Sequence, residues 1–206
     1  MAGGKLITIE GLDGAGKTTL ATSLHQAIRS RGIDASLLRE PGGVRTAERV
    51  RELLKDPDAR IGARAEALLY AAARAQLVEE ALAPLLARGS WVLLDRFVDS
   101  SLAYQGAGRR LGIERVRAIN DFATGGLCPD RTLMLRIDPA LGRERLRARA
   151  QPLDRLEREQ DQFFARIAAA YAQLASAEPG RIRTIDAAQT PELVLQAALN
   201  AIGDLL

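Results

Sequence analysis

The chain has 206 residues, 47% of them hydrophobic and 27% charged, the length and balance of one soluble globular domain with room for a small appendage. No apolar run approaches the roughly 20 residues that cross a bilayer, and Met1-Ala-Gly-Gly-Lys5 lacks the apolar segment of a signal peptide, so no membrane contact and a cytoplasmic location are expected. One cysteine (Cys128) and one histidine (His25) exclude an internal disulfide, Cys/His metal clusters and histidine triads, while 29 basic against 26 acidic residues leave a formal charge of only +3.

Leu6-Ile-Thr-Ile9 opens the chain as a short β-branched strand, and Thr18 to Arg31 reads as a helix ending near Gly32. Ala35-Ser-Leu-Leu38 is a second strand, closed by the turn-forming Pro41-Gly42-Gly43. Helical sequence resumes from Thr46 to Lys55, and an alanine-rich helix runs from about Ala63 to Ala87. Trp91-Val-Leu-Leu94, Thr132-Leu-Met-Leu-Arg-Ile137 and Ile182 to Ile185 are further buried strands, and a last helix opens near Thr190-Pro191. Strands separated by helices predict parallel βαβ units, a doubly wound α/β domain over residues 1–206. Arg143 to Arg158, RERLRARAQPLDRLER, breaks the rhythm at Pro152. It reads either as a solvated helix–turn–helix or as a lid of arginines, at about 143–158, that closes over phosphates.

Gly11-Leu12-Asp13-Gly14-Ala15-Gly16-Lys17-Thr18 satisfies G-x-x-x-x-G-K-[ST] between a predicted strand and a predicted helix. Glycines let the backbone wrap so that its N–H groups face phosphates, and the helix N-terminus adds positive potential. Lys17 would reach the β- and γ-phosphates of ATP, the Thr18 hydroxyl would ligate Mg²⁺, and Thr19 follows within the same loop-to-helix turn. The fold expected is a P-loop three-layer α/β/α sandwich with a parallel five-stranded sheet and a helical lid. No N-K-x-D guanine motif is present, and the length suits a small-molecule kinase better than a motor ATPase. Lys5, Lys17 and Lys55 are the only lysines, and aromatics make up 4%. That arginine-dominated excess fits fork-like grips on a small phosphorylated ligand at least as well as nucleic acid.

Leu93-Leu94-Asp95-Arg96 ends a buried strand, so both charged residues emerge at the sheet edge where ligands bind in parallel α/β folds. They read either as a structural ion pair or as a site, with Asp95 holding Mg²⁺ through water and Arg96 gripping a phosphate. The segment Asp95-Arg96-Phe-Val-Asp-Ser100-Ser101-Leu-Ala-Tyr104-Gln105 resembles the D-R-[FYH]-x-x-S-[STN]-x-A-Y-Q pattern of thymidylate kinases. Five further blocks extend the resemblance in order: Ile9 to Gly14, Arg39-Glu40-Pro41-Gly42-Gly43, Tyr70-Ala-Ala-Ala-Arg74, Asp154-Arg155-Leu156-Glu157 and Thr184-Ile185-Asp186-Ala187.

The resemblance implies transfer of the γ-phosphoryl group of Mg-ATP to dTMP, with no nucleic-acid partner and a homodimer packed through helices. It implies that Tyr70 stacks on the thymine, that Arg74 bonds the base and approaches the acceptor phosphate, and that Arg96 holds that phosphate. Ser101 and Gln105 would contact the base, Tyr104 would crowd the 2′ position, and Asp13 would meet the 3′-hydroxyl. Arg39 and the Pro41 turn would shape the acceptor pocket, and Asp186 with Ala187 would border the adenine. Some family members carry an arginine in the P-loop where this chain has Gly14; others supply it from the lid. Gly14 with Arg145, Arg147, Arg149 and Arg155 resembles the second, bacterial type. The lid's usual glycine before L-D-R is replaced here by Ala150-Gln151-Pro152. Arg149, followed by Arg155, is the arginine expected at the transferring phosphoryl group, so that Arg149→Ala should lower kcat far more than it raises KM. Two rivals remain at this stage. A deoxynucleoside kinase would need a carboxylate base, for which Glu10 or Asp95 is available, and a nucleotide-dependent nucleic-acid-binding module would use the basic surface.

Overall fold

A computed structural model describes residues 3–148 and 154–206. Five strands, β1 (Leu6–Gly11), β2 (Ala35–Arg39), β3 (Trp91–Asp95), β4 (Arg131–Arg136) and β5 (Ile182–Asp186), pair in parallel in the order β2-β3-β1-β4-β5. All six residues of β1 are buried, as expected for the central strand of a parallel sheet covered on both faces. Period-two alternation splits the core between those faces. On β3, Val92 and Leu94 pack in one cluster with Leu77, Val78 and Leu82, while Leu93 joins Leu20, Leu24 and Ile28 in the other.

Helices cover the segments expected at 18–31, 46–55, 63–87 and from Thr190, and three further ones, at Val98–Ser101, Ile113–Thr124 and Asp161–Ala177, fall where the sequence reading assigns none. In chain order the helices are α1 (Lys17–Arg29), α2 (Arg45–Lys55), α3 (Ala63–Leu77), α4 (Ala83–Ala87), α5 (Val98–Ser101), α6 (Ile113–Thr124), α7 (Pro139–Ala148), α8 (Asp161–Ala177) and α9 (Pro191–Ala201). Leu20, Ala21, Leu24 and Ile28 give α1 its buried stripe at three-to-four-residue spacing. Thr190 stands at the N-cap of α9 with Pro191 in the first helical position, where a missing N–H costs nothing. The long alanine-rich helix is continuous in path but holds a π-helical turn, Val78–Leu82, between α3 and α4. A second π-helical run, Leu102–Gly108, continues α5 and carries Tyr104 and Gln105. No helix among the described residues is long and apolar enough to cross a membrane.

The switch of strand order lies at β1, with β3 on one side and β4 on the other. Ile9 pairs with Asp95, so the loop after β1 and the Asp95-Arg96 turn after β3 leave the sheet side by side. That edge, at the carboxyl ends of the strands, is where this topology opens a crevice.

Candidate active site

A cavity of about 520 Å³ occupies the crevice, walled by the P-loop (Asp13, Gly14, Gly16, Lys17, Thr18, Thr19), the end of β2 (Arg39, Glu40, Pro41) and the end of β3 (Asp95, Arg96). Helices supply Arg51 and Lys55 from α2, Tyr70 and Arg74 from α3, and Ser100, Ser101, Tyr104 and Gln105 from the segment after Arg96. Arg145 of α7 and Asp154, Leu156 and Glu157 close the far side.

The P-loop turns into α1 through Gly16, which sits in the left-handed region at φ 88° and caps the helix without a side-chain bond. Lys17 is buried and folds back on its own loop, its Nζ donating to the Leu12 carbonyl at 2.8 Å and lying 3.7 Å from Asp13 Oδ1. Burial and then the cation of Arg96 push its ammonium down to about 8, against Asp13, Asp95 and Glu10, which raise it. Thr18 Oγ1 donates to Asp95 Oδ2 at 2.8 Å, which joins the two residues expected at the metal.

Arg96 is a bulky residue held at φ 72°, a conformation that costs of order 1–3 kcal/mol and gathers at functional sites. Its Nη2 donates to Asp13 Oδ1 at 2.6 Å, its Nη1 to the Gly11 carbonyl and Ser100 Oγ, and its guanidinium lies 5.0 Å from the centre of the Tyr104 ring. Tyr104 in turn donates to Asp13 Oδ2 at 2.9 Å. Burial raises the Asp13 carboxyl, but Arg96, Lys17 and the Tyr104 hydroxyl outweigh it and hold the group well below the usual carboxylate range. Asp13, Tyr104 and Arg96 thus form one fixed unit at the floor of the cavity.

Arg74 spends all five of its donors inside the protein. Nε and Nη2 meet Glu40 Oε2 at 2.8 and 2.6 Å, Nη2 also donates to the Phe97 carbonyl, and Nη1 donates to Ser101 Oγ and Asn120 Oδ1. It stands in the cavity wall beside Tyr70, but a direct bond to an acceptor requires one of these to be released. Burial lifts the Glu40 carboxyl above its ordinary range against the pull of Arg74. Ser101 is committed to Arg74, and the Gln105 amide donates to Glu66 at 2.9 Å. Tyr70 lines the cavity, and burial raises its phenol. Arg39 forks onto Glu48 at 2.9 and 3.0 Å and, with Arg51, donates to the Pro41 carbonyl; the Glu40–Pro41 bond is cis.

The lid resolves into two parts. The helix α7 ends at Ala148, and Arg149 lies outside the described residues. Beyond, Asp154 and Glu157 form a reciprocal capping box, each carboxylate accepting the other's backbone N–H at 3.0 Å. Arg145 lines the cavity and donates to the Ala187 carbonyl at 2.9 Å. Arg155 is not in the lining. It lies beneath, donating to Glu66 Oε2 at 2.7 Å and to the Leu54 carbonyl at 3.1 Å. Gly11, Leu12, Ala15, Asp186 and Ala187 are also outside the lining, although Arg145 ties the last to it.

Sequence reasoning passed over Arg51, Asn120, Tyr171 and the buried Glu66, while Glu10 entered only as a base for the rival reading and Glu40 only within a family block. One signal was present: Glu66, Tyr70 and Arg74 follow at intervals of four and so share one face of α3.

Comparison with known proteins agrees with this arrangement. The family model described as thymidylate kinase matches residues 9–198. Curated thymidylate kinases of Halorhodospira halophila and Deinococcus radiodurans are 45% and 48% identical over 205 and 201 residues. Each alignment covers 98% of this chain, and 95% and 97% of the relatives. A crystal structure of thymidylate kinase from Ehrlichia chaffeensis superposes with a TM-score of 0.79 at 27% identity, covering 98% of this chain and 99% of that one. With the P-loop, the Asp95-Arg96 turn and Tyr70 converging on one crevice, the chain belongs to the thymidylate kinase family.

Proposed function

We propose that the chain transfers the γ-phosphoryl group of ATP to dTMP, giving dTDP and ADP, in the cytoplasm and as a homodimer. The observation that carries the reading is the shared crevice, lined both by a triphosphate loop and by a second set of cations, Arg96, Arg39 and Arg51, with Asp13 paired to Arg96 at 2.6 Å and 3.7 Å from Lys17. A nucleoside monophosphate has a second pKa near 6 and is mostly dianionic at neutral pH, so its attacking oxygen needs no general base. The difficulty is to bring two anions into line, which calls for positioning and positive charge. Lys17 would leave the Leu12 carbonyl for the donor phosphates. Arg96 would hold the acceptor phosphate, Tyr70 would lie against the thymine, and the Asp13–Tyr104 pair would meet the sugar. Arg145 is the lid arginine already facing the cavity among the described residues, and joins Arg149 as a candidate for the transferring group.

Mg²⁺ fits the residues present. Thr18 and Asp95 offer hard oxygen donors 2.8 Å apart. Among the described residues no group of three or more His, Cys, Asp or Glu forms an all-protein cage, as suits an ion held largely by phosphates and water. When bound it supplies charge neutralisation at the β- and γ-oxygens. A deoxynucleoside kinase is disfavoured because the carboxylates a hydroxyl acceptor would need are engaged. Glu10 is saturated by donors in the core, and Asp95 accepts from Thr18. The test is ADP release from Mg-ATP with dTMP, thymidine, dUMP, GMP or no acceptor. Turnover with dTMP, and weaker turnover with dUMP, is expected, since one methyl in an apolar pocket is worth only about 1–3 kcal/mol. Turnover with thymidine but not dTMP would overturn the reading.

A further inference from the structure

Glu10 is fully buried in the central strand, does not line the cavity, and so has no direct part in the chemistry above. Its hydrogen bonds nevertheless all run toward that site. Oε1 accepts the backbone N–H groups of Phe97 at 2.7 Å and Ser100 at 3.2 Å. Oε2 accepts the Ser100 hydroxyl at 2.5 Å and the Tyr171 hydroxyl at 3.1 Å. A carboxylate has about four lone-pair directions, and here all are filled. The groups that fill them are the turn directly after Arg96 and the α8 side chain beside its guanidinium. Ser100 Oγ, while donating to Glu10, accepts from Arg96 Nη1 at 3.0 Å, and the Tyr171 oxygen lies 3.5 Å from the same nitrogen.

Arg96 needs such support on two counts. Its backbone is in the left-handed region, which a bulky side chain keeps only when its surroundings over-determine it. Its guanidinium is pulled by Asp13 on the other side, at 2.6 Å. We propose that Glu10 is a positioning residue for phosphoryl transfer: through Ser100 and Tyr171 it fixes both the strained turn at Arg96 and the direction in which the Arg96 guanidinium faces the acceptor. The proposal rests on the reading that Arg96 holds the acceptor phosphate.

The experiment compares Glu10→Gln, Ser100→Ala, Arg96→Ala and the double variant Glu10→Gln/Arg96→Ala by steady-state dTMP phosphorylation. Thermal unfolding is recorded for each variant. Arg96→Ala should lower kcat/KM for dTMP by about 100-fold or more, on the scale of losing one charge-stabilising donor. Glu10→Gln and Ser100→Ala should each lower it about tenfold, with KM for ATP within about twofold of the parent. On the Arg96→Ala background, Glu10→Gln should cost nothing further, because the two act as a unit. Ser100→Ala keeps the carboxylate and both backbone donors, so it carries the test should Glu10→Gln fail to fold. Folded single variants with parental kcat/KM for dTMP, beside a crippled Arg96→Ala, would overturn the positioning role. Equal losses toward ATP and dTMP would overturn it too, marking Glu10 as a core residue only. An unimpaired Arg96→Ala would instead overturn the reading of Arg96 itself.

Discussion

A single buried carboxylate, Glu66, gathers side chains behind the cavity wall to which Gln105 belongs. Glu66 is 0% exposed, yet it receives Gln105 at 2.9 Å, Arg109 through Nε and Nη2 at 3.1–3.2 Å, and Arg155 at 2.7 Å. Removing one member of a buried charged cluster leaves the others uncompensated, which typically costs about 3–5 kcal/mol. Glu66→Ala is therefore expected to lower unfolding free energy by about that amount, read as a shift of the urea midpoint with an unchanged slope. A loss under about 1 kcal/mol, the scale of an exposed pair, would show that the cluster is solvated in solution. Glu66→Gln keeps shape and some acceptor capacity and should lose less. The residues whose chemistry sits in a dense motif, Lys17, Thr18, Asp95 and Arg96, were legible in the sequence because their spacing alone brings them to the sheet edge. Glu66 was not, because a lone acid in an alanine-rich helix looks the same whether it faces water or two arginines and an amide from elsewhere in the chain.

Elements meet here with little side chain between them. Gly14 stands at φ 81°, and a Cβ on it would run into the backbone carbonyl of Gly142 in the first turn of α7. A Cβ on Gly142 would in turn lie 3.0 Å from the Asp13 carbonyl. Loop and lid helix touch backbone to backbone, and Arg145, one turn beyond Gly142, is thereby carried to the cavity rim. The sequence contrast between a glycine and an arginine at position 14 acquires a physical reason, since this packing leaves no room for any side chain there. Gly14→Ala is expected to displace α7, lowering kcat about tenfold or more while costing about 1–3 kcal/mol of stability. Gly142→Ala, with no positive φ and a contact at the edge of tolerance, should be milder in both. Parental kcat in Gly14→Ala would mean that the lid docks elsewhere during turnover. The five strands and the helices at 18–31, 46–55 and 63–87 were legible to within about two residues, as period and turn residues allow, whereas the strand order and the helices α6 and α8 were not. The π-helical run Leu102–Gly108 was not legible either, because no residue pattern in it distinguishes a wide turn from an ordinary one; the run packs against both α8 and α6. Nor did the sequence say which face of α7 looks inward, so Arg145 drew less weight than Arg149 and Arg155.

At the scale of the molecule, the chain exposes large apolar side chains on three neighbouring helices. Leu53 on α2 is 46% exposed, Leu68 on α3 56% and Phe122 on α6 92%, and α3 packs against both α2 and α6. Fully burying one such side chain is worth about 1.5–3 kcal/mol, so exposed apolar side chains on helices that pack side by side are a reason to associate. This is the surface expected for the proposed homodimer, and the alanine-rich helix contributes to it by one side only. The other side of α3 carries Glu66, Tyr70 and Arg74, so the helix that would face the partner is also the one that positions the acceptor wall. Association and acceptor binding should therefore be linked, since rigidity gained at the interface is transmitted along a shared helix. Phe122→Asp and Leu68→Asp place a charge on the face without touching the cavity. In light scattering each is expected to reduce the particle from two chains to one of 22.2 kDa, and to abolish any dependence of the melting temperature on protein concentration. KM for dTMP should rise several-fold in the monomer while KM for ATP, whose loop lies on β1 and α1, stays close to the parent's. A parent that scatters as a single chain would remove the dimer. A monomeric variant with parental KM for both substrates would keep the dimer but cut its link to the site.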